Sequence, residues 1–297
     1  GVPASAIQLL LGSGAEIGVA LTALHDVAGV CFTGSTATAQ TINRAMADTM
    51  ATDAPLIAET GGLNAMIVDS SALPEQVVRD VLASAFQSAG QRCSALRCLY
   101  LQDDVAEDVI KMLLGALHMQ RVGNTWDPAN DIGPIIDAAA RDKIAAYVEN
   151  ADIIAKGKTP DTGYYIAPTV LRIKGIADMQ EEIFGPVLHI ATYKAHELEQ
   201  VIADINATGY GLTFGMHSRI DNRVDQVVRG INAGNIYINR NQIGAIVGSQ
   251  PFGGTGLSGT GPKAGGANYL NRFRATPVDL DLPTTQHLPG PTGESNT

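Results

Sequence analysis

One of the three cysteines lies in a segment that could turn its thiol into a nucleophile. Cys93 follows the small-residue run Ser88-Ala89-Gly90 and precedes Ser94, so backbone N–H groups can point at an oxygen bound beside the sulfur. Arg92 places a positive charge next to it, which would favour the thiolate. Free cysteines are also common as small core residues, so a packing role for Cys93 stays open on these residues alone.

A carboxylate follows an apolar run and precedes two glycines. Glu59 ends the run Pro55-Leu56-Ile57-Ala58 and is followed by Thr60-Gly61-Gly62. In α/β proteins, ligands bind at the carboxyl ends of the parallel strands. Partial burial there would raise the pKa of Glu59 toward the range that suits a general base. A solvated strand end would have the same sequence, so both interpretations stay open.

Two glycine-containing turns could bind the phosphates of a nucleotide. Gly12-Ser13-Gly14 with Gly18 resembles the dinucleotide fingerprint of a strand-to-helix turn. The strand that should end in an acidic residue ends Phe32-Thr33-Gly34 instead, so a plain tight turn is the alternative. Ser35 and Thr36 open a long helix whose free N–H groups would attract an anion, or they only cap that helix.

The composition is that of a soluble globular protein and disfavours several classes of function. With 30 acidic and 20 basic residues among 297, the net charge of −10 disfavours a nucleic-acid partner, which needs a basic face. No apolar run reaches the ~18 residues of a membrane helix, and no HExxH motif or Cys/His cluster predicts a metal site. Three cysteines are too few for a disulfide framework and indicate the cytoplasm. Cys31 and Cys98 lie in apolar runs and are predicted to be buried packing residues.

Short apolar runs alternate with helical stretches along the chain, which predicts an α/β fold with a parallel sheet. Strands are predicted over residues 6–11, 27–32, 55–59, 64–68 and 95–101, and helices over 16–24, 35–50, 105–117, 138–149, 197–206 and 222–229, with one more beginning at Pro74. An edge strand is predicted at 278–282 and a linker at 288–293. In this fold Glu59 stands at the end of a strand, and Cys93 lies between a helix and a strand.

Five segments, in the same order along the chain, resemble motifs of the aldehyde dehydrogenase family. Residues 32–36 resemble the family's cofactor-phosphate turn, 59–64 its general-base motif (with Thr60 and Leu63 as departures), 90–93 its nucleophile motif, 181–186 the segment that reaches the nicotinamide ribose, and 251–259 its late glycine-rich segment. The separation of Glu59 and Cys93, 93 − 59 = 34, also matches the family. The resemblance covers essentially the whole chain. It implies an α/β, aldehyde dehydrogenase-like parallel-sheet catalytic domain with a partial Rossmann-like cofactor domain.

The resemblance implies a role for each matching residue. Cys93 would attack the aldehyde carbon, with its backbone N–H holding the oxyanion, and Glu59 would activate the water that hydrolyses the resulting thioester. NAD would be the cofactor, since hydride passes to a nicotinamide in this family, and NADP stays open as the alternative. The residues assigned to cofactor binding are Gly14, Gly34, Ser35 at the pyrophosphate, Glu182 at the nicotinamide ribose and Phe184 beside the ring.

The sequence beside Cys93 and in the late loop is similar to the glutamate-semialdehyde (pyrroline-5-carboxylate) dehydrogenases. In that subfamily a hydroxyl beside the nucleophile and backbone amides of the loop hold the substrate's carboxylate; Ser94, Gly244 and Ala245 are the matching positions. The implied reaction is NAD-dependent oxidation of L-glutamate γ-semialdehyde to L-glutamate in proline catabolism. An aldehyde dehydrogenase of another substrate class and a non-catalytic aldehyde-dehydrogenase-like domain stay open. A cysteine hydrolase is disfavoured, because the six histidines are scattered.

The resemblance also predicts how the chain is organised. Residues 1–60 would be a remnant of the NAD-binding domain, 61–270 the catalytic domain, and 271–297 an oligomerisation strand and exit linker. The family's long N-terminal part has no counterpart before Gly1, so the chain is expected to be a C-terminal piece that is weak or inactive alone. A homo-oligomer is expected. The tail 288–296 resembles the segment after this domain in bifunctional bacterial proline-utilization proteins, which would add a proline dehydrogenase domain in the parent chain.

Overall fold

The computed structural model describes residues 1–273, and a seven-stranded sheet forms its centre. The strands are β1 (Val30–Thr33), β2 (Leu56–Glu59), β3 (Ala65–Val68), β4 (Cys98–Gln102), β5 (Ile153–Lys156), β6 (Thr169–Arg172), β7 (Val187–Tyr193), β8 (Tyr210–Gly211), β9 (Thr213–His217), β10 (Asn235–Ile238) and β11 (Thr255–Gly256). The helices are α1 (Val19–Thr22), α2 (Thr36–Thr49), α3 (Pro74–Phe86), α4 (Asp103–Met119), α5 (Ala138–Glu149), α6 (Leu198–Ala207) and α7 (Asp221–Gly230).

The central sheet has the strand order β10-β9-β3-β4-β7-β6-β5, and every neighbouring pair is parallel except β5 with β6. The predicted α/β fold with a largely parallel sheet is therefore confirmed. A separate two-stranded parallel sheet joins β1 to β2 and pairs Thr33 with Glu59 at their carboxyl ends. The candidate site forms where these carboxyl ends meet the segments that lead into the amino ends of β3 and β4.

Apolar side chains cover both faces of the central sheet, as a parallel sheet requires. Met66 and Val68 face a cluster with α3, α4 and α5, whereas Ala65 and Ile67 face a cluster with α6 and α7. This alternation follows from the two-residue period of a strand. All four side chains of β3 are at most 1% exposed, so the start of β3 is a fixed point on which the site can be built.

The apolar run near the start of the chain does not form the predicted strand. Residues Ala4–Ala6 make a 3-10 turn, the rest of 6–11 has no regular structure, and Leu9 is 81% exposed. An apolar run becomes a strand only where another strand pairs with it, and none pairs with this run within residues 1–273. The helix predicted over 16–24 is a π-helical turn, Gly14–Gly18, that continues into α1. The other predicted helices and strands before residue 274 are present, with shifted ends.

Cys31 is exposed, so the prediction that it is a buried packing residue is wrong. It lies on β1, whose residues alternate between half-buried and exposed because the two-stranded sheet is covered on one face only. The hydroxyl of Tyr269 donates to its sulfur at 3.2 Å. Cys98, in the centre of the main sheet, is fully buried as predicted.

Part of the predicted organisation lies outside the described residues. The edge strand at 278–282, the linker at 288–293 and most of the predicted unit 271–297 follow residue 273. The division at residue 60 stays a prediction, with β1 and β2 before it and the central sheet after it. Within residues 1–273, no helix is both long and apolar enough to cross a bilayer.

Truncation of one buried leucine tests the assignment of the core. Leu113 in α4 is 0% exposed and belongs to the cluster around Met66. Leu113→Ala should lower the free energy of unfolding by about 2–5 kcal/mol, because it leaves a cavity. Met119→Ala, in the same helix at a position that is 77% exposed, is the control and should change it by less than about 0.5 kcal/mol. Urea unfolding measures both, and equal losses would contradict this orientation of α4.

Candidate active site

The turn that carries Cys93, here called the nucleophile turn (residues 88–93), begins with an unusual backbone. Ser88, Ala89 and Gly90 all have positive φ, at 57°, 55° and 65°. Non-glycine residues in this region cost about 1–3 kcal/mol each and persist where the surrounding structure enforces them. At Gly90 a Cβ atom would collide with the carbonyl oxygen of Gly185, so only glycine fits. The chain reverses here between α3 and β4.

A buried amide side chain fixes the main chain on both sides of the thiol. Nδ2 of Asn64 donates to the carbonyl oxygens of Cys93 at 2.6 Å and Ala95 at 3.0 Å. Its Oδ1 accepts from the N–H of Thr213 at 3.1 Å. Asn64 is 2% exposed and directly precedes β3. The position of Cys93 therefore depends on the neighbouring strands of the central sheet.

The charges of two carboxylates act on the thiol of Cys93. Burial is the main cause that raises the pKa of Cys93, and the negative charges of Glu182 and Glu59 raise it further. The backbone N–H groups of Ser94 and of Cys93 itself act in the opposite direction, because they stabilise the thiolate. The two residues that the motif spacing singled out, Cys93 and Glu59, thus influence each other electrostatically, and their catalytic roles stay a prediction.

Arg92 does not supply the positive charge expected beside the thiol. Its side chain is exposed, and Nε donates to the hydroxyl of Ser88 at 2.9 Å. The expectation that Arg92 favours the Cys93 thiolate is wrong, since water screens an exposed guanidinium. The buried guanidinium that interacts with the thiol belongs to Arg97.

Glu59 ends β2 opposite Thr33 and turns its carboxylate into a recess lined by glycine. Both carboxylate oxygens are buried without a hydrogen-bond partner among residues 1–273, and a Cβ at Gly253 would lie 2.8 Å from Oε1. Burial raises the pKa of Glu59 from 4.5 to about 7, against the opposing influence of the nearby Gly254 N–H and of the Lys263 charge. A carboxylate with this pKa is suited to general-base catalysis at neutral pH.

The two departures within the general-base motif have structural roles. The hydroxyl of Thr60 donates to the carbonyl of Leu257 at 2.6 Å, and its N–H donates to the carbonyl of Ser258 at 3.0 Å. Leu63 is 6% exposed and belongs to the apolar cluster with α6 and α7. The contacts of Thr60 join the chain after Glu59 to the late glycine-rich segment.

Glu182 is held from two sides. Its Oε1 accepts from Nη2 and Nε of Arg97 at 2.9 and 3.3 Å, and its Oε2 accepts from the N–H of Gly62 at 3.1 Å. Burial raises the pKa of Glu182, while Arg97 and the Gly62 N–H lower it. A Cβ at Gly61 would collide with Oε2. Because Oε2 can accept a second bond and Phe184 is 46% exposed, these groups fit a ribose hydroxyl and a planar ring.

Three further residues were predicted to bind the cofactor. Ser35 caps α2 and accepts from one N–H of its first turn at 3.1 Å, which leaves other N–H groups of that turn for an anion such as a pyrophosphate. The N–H of Gly34 donates to the carbonyl of Glu59 at 3.1 Å, so this turn adjoins the general-base candidate. Gly14 lies apart: it is exposed, and no hydrogen bond within the described part of the chain links its turn to the nucleophile turn.

One buried side chain connects Ser94 with the loop that was predicted to bind the substrate, and a second binds within that loop. Nε2 of Gln242 donates to the carbonyl of Ser94 at 3.5 Å, and Gln242 is 0% exposed. Gly244 and Ala245 follow in an exposed loop, with Gly244 at a φ of 139°. The hydroxyl of Tyr237 donates to the carbonyl of Gly244 at 2.6 Å. The three predicted substrate residues therefore belong to one connected region.

Residues 1–273 contain no group of three or more His, Cys, Asp or Glu side chains that could hold a metal ion. One buried imidazole lies beside a buried carboxylate. Nε2 of His217 lies 3.6 Å from Oδ2 of Asp80, and burial lowers the pKa of that histidine. Two ligands are fewer than a protein zinc site uses.

Sequence reasoning left three organising residues unassigned: Asn64, Arg97 and Gln242. All are buried polar side chains that bind the main chain around Cys93. Arg97 carried a readable signal, because a charged residue inside the apolar run 95–101 must be paired if that run is buried. Gln242 carried no such signal, since amide residues near glycines are common in exposed turns, and the motif at 59–64 gave Asn64 no role of its own.

A model of the aldehyde dehydrogenase family matches residues 1–277. The bifunctional protein PutA of Salmonella typhimurium is 50% identical over 302 residues, which cover 96% of this chain and 23% of that protein. The 1-pyrroline-5-carboxylate dehydrogenase of Bacillus subtilis is 35% identical over 280 residues, which cover 91% of this chain and 54% of that enzyme. The chain thus spans about a quarter of the first relative and about half of the second.

Solved structures with the same fold include a mutant of proline utilization A (PutA) from Bradyrhizobium japonicum. It has a TM-score of 0.89 and 51% identity, and the match covers 92% of this chain and 28% of that one. A 1-pyrroline-5-carboxylate dehydrogenase from Thermus, solved with bound NAD, has a TM-score of 0.80 and 36% identity. That match covers 88% of this chain and 52% of the Thermus chain.

Removal of the Lys263 charge should raise the pKa of Glu59 above about 7. The positive charge favours the carboxylate, so Lys263→Met removes one of the two influences that hold this pKa down. Carbon NMR of labelled glutamate side chains can follow the titration, with Glu59→Gln identifying the signal. Lys111→Met, at an exposed position of α4, is the control and should leave the titration unchanged. A fall in the pKa of Glu59 would contradict the assigned role of Lys263.

Proposed function

Because the chain belongs to the aldehyde dehydrogenase family, we propose that it carries the nucleophile and general base of an enzyme that oxidises L-glutamate γ-semialdehyde to L-glutamate with NAD. The observation that carries the proposal is that the segment after Glu59 binds the nucleophile turn, with Asn64 donating to the carbonyl of Cys93 at 2.6 Å, while the Glu59 carboxylate is buried without a hydrogen-bond partner among residues 1–273. One group can bond to a carbonyl carbon and the other can take a proton. Similarity to PutA and to 1-pyrroline-5-carboxylate dehydrogenases supports this substrate and a place in proline catabolism.

The first step is attack of the Cys93 thiolate on the aldehyde carbon. A carbon–sulfur bond forms, the π electron pair of the carbonyl moves to oxygen, and an oxyanion results. The N–H groups of Cys93 and Ser94, which favour the thiolate, are assigned to this oxyanion as well. The same donors would therefore stabilise negative charge on sulfur before the bond forms and on oxygen afterwards.

Bound NAD would accept the hydride that leaves the aldehyde carbon, a redox chemistry that no side chain of the protein supplies. Ser35, at the start of α2, is assigned to the pyrophosphate, with Gly34 allowing close approach. Glu182 is assigned to the nicotinamide ribose and Phe184 to the face or edge of the ring. The Thermus relative with bound NAD supports this choice of cofactor. Gly14 stays a prediction, supported by its sequence motif alone.

Glu59 is assigned to hydrolysis of the thioester on Cys93. A water molecule attacks the thioester carbon, its proton passes to Glu59, and the carbon–sulfur bond breaks to return the thiolate and release the acid. A pKa of about 7 makes Glu59 a stronger base than an ordinary glutamate. At neutral pH a large fraction of it is still ionised and able to accept the proton.

The substrate's carboxylate is assigned to Ser94, Gly244 and Ala245. Backbone N–H groups in an exposed glycine-containing loop can approach an anion closely, and the hydroxyl of Ser94 would add a third donor. Gln242 joins the start of the loop to Ser94, and Tyr237 binds the carbonyl of Gly244 within the loop, so the distance between the two ends of the substrate would be restrained. This arrangement favours an aldehyde with an anionic group over an uncharged one.

The proposal also covers the longer protein that would contain this chain. The relatives extend well beyond the matched part, so we expect the 297-residue chain alone to be weak or inactive and the full activity to reside in a longer protein. By similarity to bifunctional PutA, we expect that protein to contain a proline dehydrogenase domain. A cytoplasmic homo-oligomer is the expected working form.

Two substitutions separate the two chemical steps. In a longer protein that contains this chain, Cys93→Ala should abolish NADH formation from glutamate γ-semialdehyde, because no thioester can form. Glu59→Gln should keep a burst of about one NADH per site while steady turnover falls about 10²- to 10⁴-fold. Stopped-flow absorbance measures both phases, and Cys31→Ala is the control that should retain activity. Turnover by Cys93→Ala would overturn the nucleophile, and an inactive parent would favour the non-catalytic alternative.

The role of Ser94 is tested by comparing two substrates. Ser94→Ala should raise the KM for glutamate γ-semialdehyde about 10- to 150-fold, because a hydrogen bond to a charged group contributes about 1.5–3 kcal/mol. The KM for an uncharged aldehyde such as propionaldehyde should change by less than about twofold, which makes that substrate the internal control. Equal effects on both substrates, or a parent enzyme that prefers uncharged aldehydes, would favour an aldehyde dehydrogenase of another substrate class.

A further inference from the structure

A fully buried guanidinium lies between the nucleophile turn and the segment that carries Glu182. Arg97 is 0% exposed and directly precedes β4. Its Nη1 donates to the carbonyls of Gly90 at 2.8 Å and Gly185 at 3.2 Å. Its Nη2 donates to the carbonyl of Arg92 at 3.1 Å and to Glu182 Oε1 at 2.9 Å, and Nε reaches the same oxygen at 3.3 Å. A guanidinium has five N–H donors, and all five are used.

The acceptors come from two separate parts of the chain. Gly90 and Arg92 belong to the nucleophile turn, whereas the other acceptors belong to the segment of Glu182 and Phe184, which is assigned to the cofactor. The ring centroid of Phe184 lies 5.3 Å from the guanidinium carbon. One rigid planar group therefore joins the part of the site that carries the thiol to the part assigned to the nicotinamide.

The main chain of Arg97 is held as firmly as its side chain. Its N–H donates to the carbonyl of Asn64 at 2.9 Å, and its own carbonyl accepts from the N–H and from Nδ1 of His189, both at 2.9 Å. Burial lowers the pKa of His189 to about 4, so the ring is neutral at neutral pH. Its Nε2 accepts from the hydroxyl of Tyr147 at 2.8 Å, which leaves the proton on Nδ1. The guanidinium thus projects from a fixed point of the central sheet.

We propose that Arg97 is a positioning residue that holds the nucleophile turn against the Glu182 segment, so that Cys93 and the cofactor-contact groups keep one relative geometry. The turn needs such a restraint, because Ser88 and Ala89 stand at positive φ and relaxation would release strain. Arg97 acts through the carbonyls and the carboxylate that it binds. The proposal deepens the function proposed above and rests on it for the roles of Cys93 and Glu182.

A lysine at this position separates geometry from charge. It keeps the positive charge, but its three donors lie on a single nitrogen. That nitrogen cannot reach the acceptors of the nucleophile turn and those of the Glu182 segment at the same time, as the planar guanidinium does. Without the restraint on the carbonyls of Gly90 and Arg92, the N–H groups of Cys93 and Ser94 that favour the thiolate would lose their alignment. Arg97→Lys should therefore fail to replace arginine, although the net charge is unchanged.

The first experiment needs no cofactor and no turnover. Iodoacetamide alkylation of Cys93 is followed across a range of pH by mass spectrometry of the peptide that contains it. In Arg97→Lys we expect alkylation of Cys93 at neutral pH to be about three- to tenfold slower, with its midpoint moved to higher pH. Alkylation of the exposed Cys31 should stay unchanged and serves as the internal reference. Arg229→Lys, with a side chain that is 83% exposed, is the matched control, and an unaltered Cys93 profile in Arg97→Lys overturns the proposal.

A second variant covers the case in which Arg97→Lys does not fold, as judged by near-ultraviolet circular dichroism. Glu182→Asp keeps the negative charge but withdraws the carboxylate from Arg97 by the length of a methylene group. Glu182 makes no hydrogen bond to the nucleophile turn within the described residues. Moving the Glu182 charge away from the thiol would by itself lower the pKa of Cys93 and speed alkylation. Slower alkylation of Cys93 in Glu182→Asp therefore supports transmission through Arg97, and a wild-type or faster profile overturns it.

Steady-state kinetics of the active parent protein distinguish positioning from simple stabilisation. We expect Arg97→Lys to lower kcat about tenfold and to raise the KM for NAD, with the KM for the aldehyde within about twofold. A purely structural role would lower Tm and leave the constants of the folded enzyme unchanged, which overturns the proposal. If the parent oxidises no aldehyde, the proposed function fails, but the alkylation profiles still decide the role of Arg97.

Discussion

The charge of Arg97, buried without any exposed atom, is the constraint around which the site is built. A buried cation is stable only if every donor is satisfied and an opposite charge lies nearby. Main-chain carbonyls of the nucleophile turn supply part of that requirement, and Glu182 supplies the opposite charge. These acceptors come from segments far apart in the chain, so satisfying one side chain brings them into contact. Loss of any one acceptor would leave a buried N–H group of Arg97 without a partner and its positive charge less well stabilised.

The same region concentrates acidic groups, and their titrations depend on one another. Burial raises the pKa values of Glu59, Glu182 and Cys93 together, and each ionised carboxylate makes the thiolate harder to form. When Glu59 is protonated, its own repulsion of the thiolate disappears, and ionisation of Cys93 becomes easier. With a pKa of about 7, Glu59 is present in both its protonated and its ionised form at neutral pH. Attack by Cys93 is favoured by protonated Glu59, whereas hydrolysis needs ionised Glu59. The two steps can therefore use opposite protonation states of one residue in a single site.

Local patterns predicted most helices and strands, and the motif spacing predicted that Cys93 and Glu59 would meet. Both kinds of prediction use information that is close in sequence or repeated at fixed intervals. They failed where a distant partner decides the outcome. The apolar run 6–11 lacks a strand to pair with in residues 1–273. The charge near the thiol comes from Arg97 and not from Arg92, because strand β4 buries the former and the turn exposes the latter.

The backbone of the nucleophile turn also limits which residue types can occupy its first positions. Side chains branched at Cβ are genuine outliers at positive φ, so valine, isoleucine and threonine are excluded at Ser88 and Ala89, where glycine, asparagine and other small residues are tolerated. At Gly90 only glycine is tolerated, because the carbonyl of Gly185 occupies the place of a Cβ. Substitutions that are harmless on the outer helices are therefore restricted to a few residue types at the positions just before Cys93.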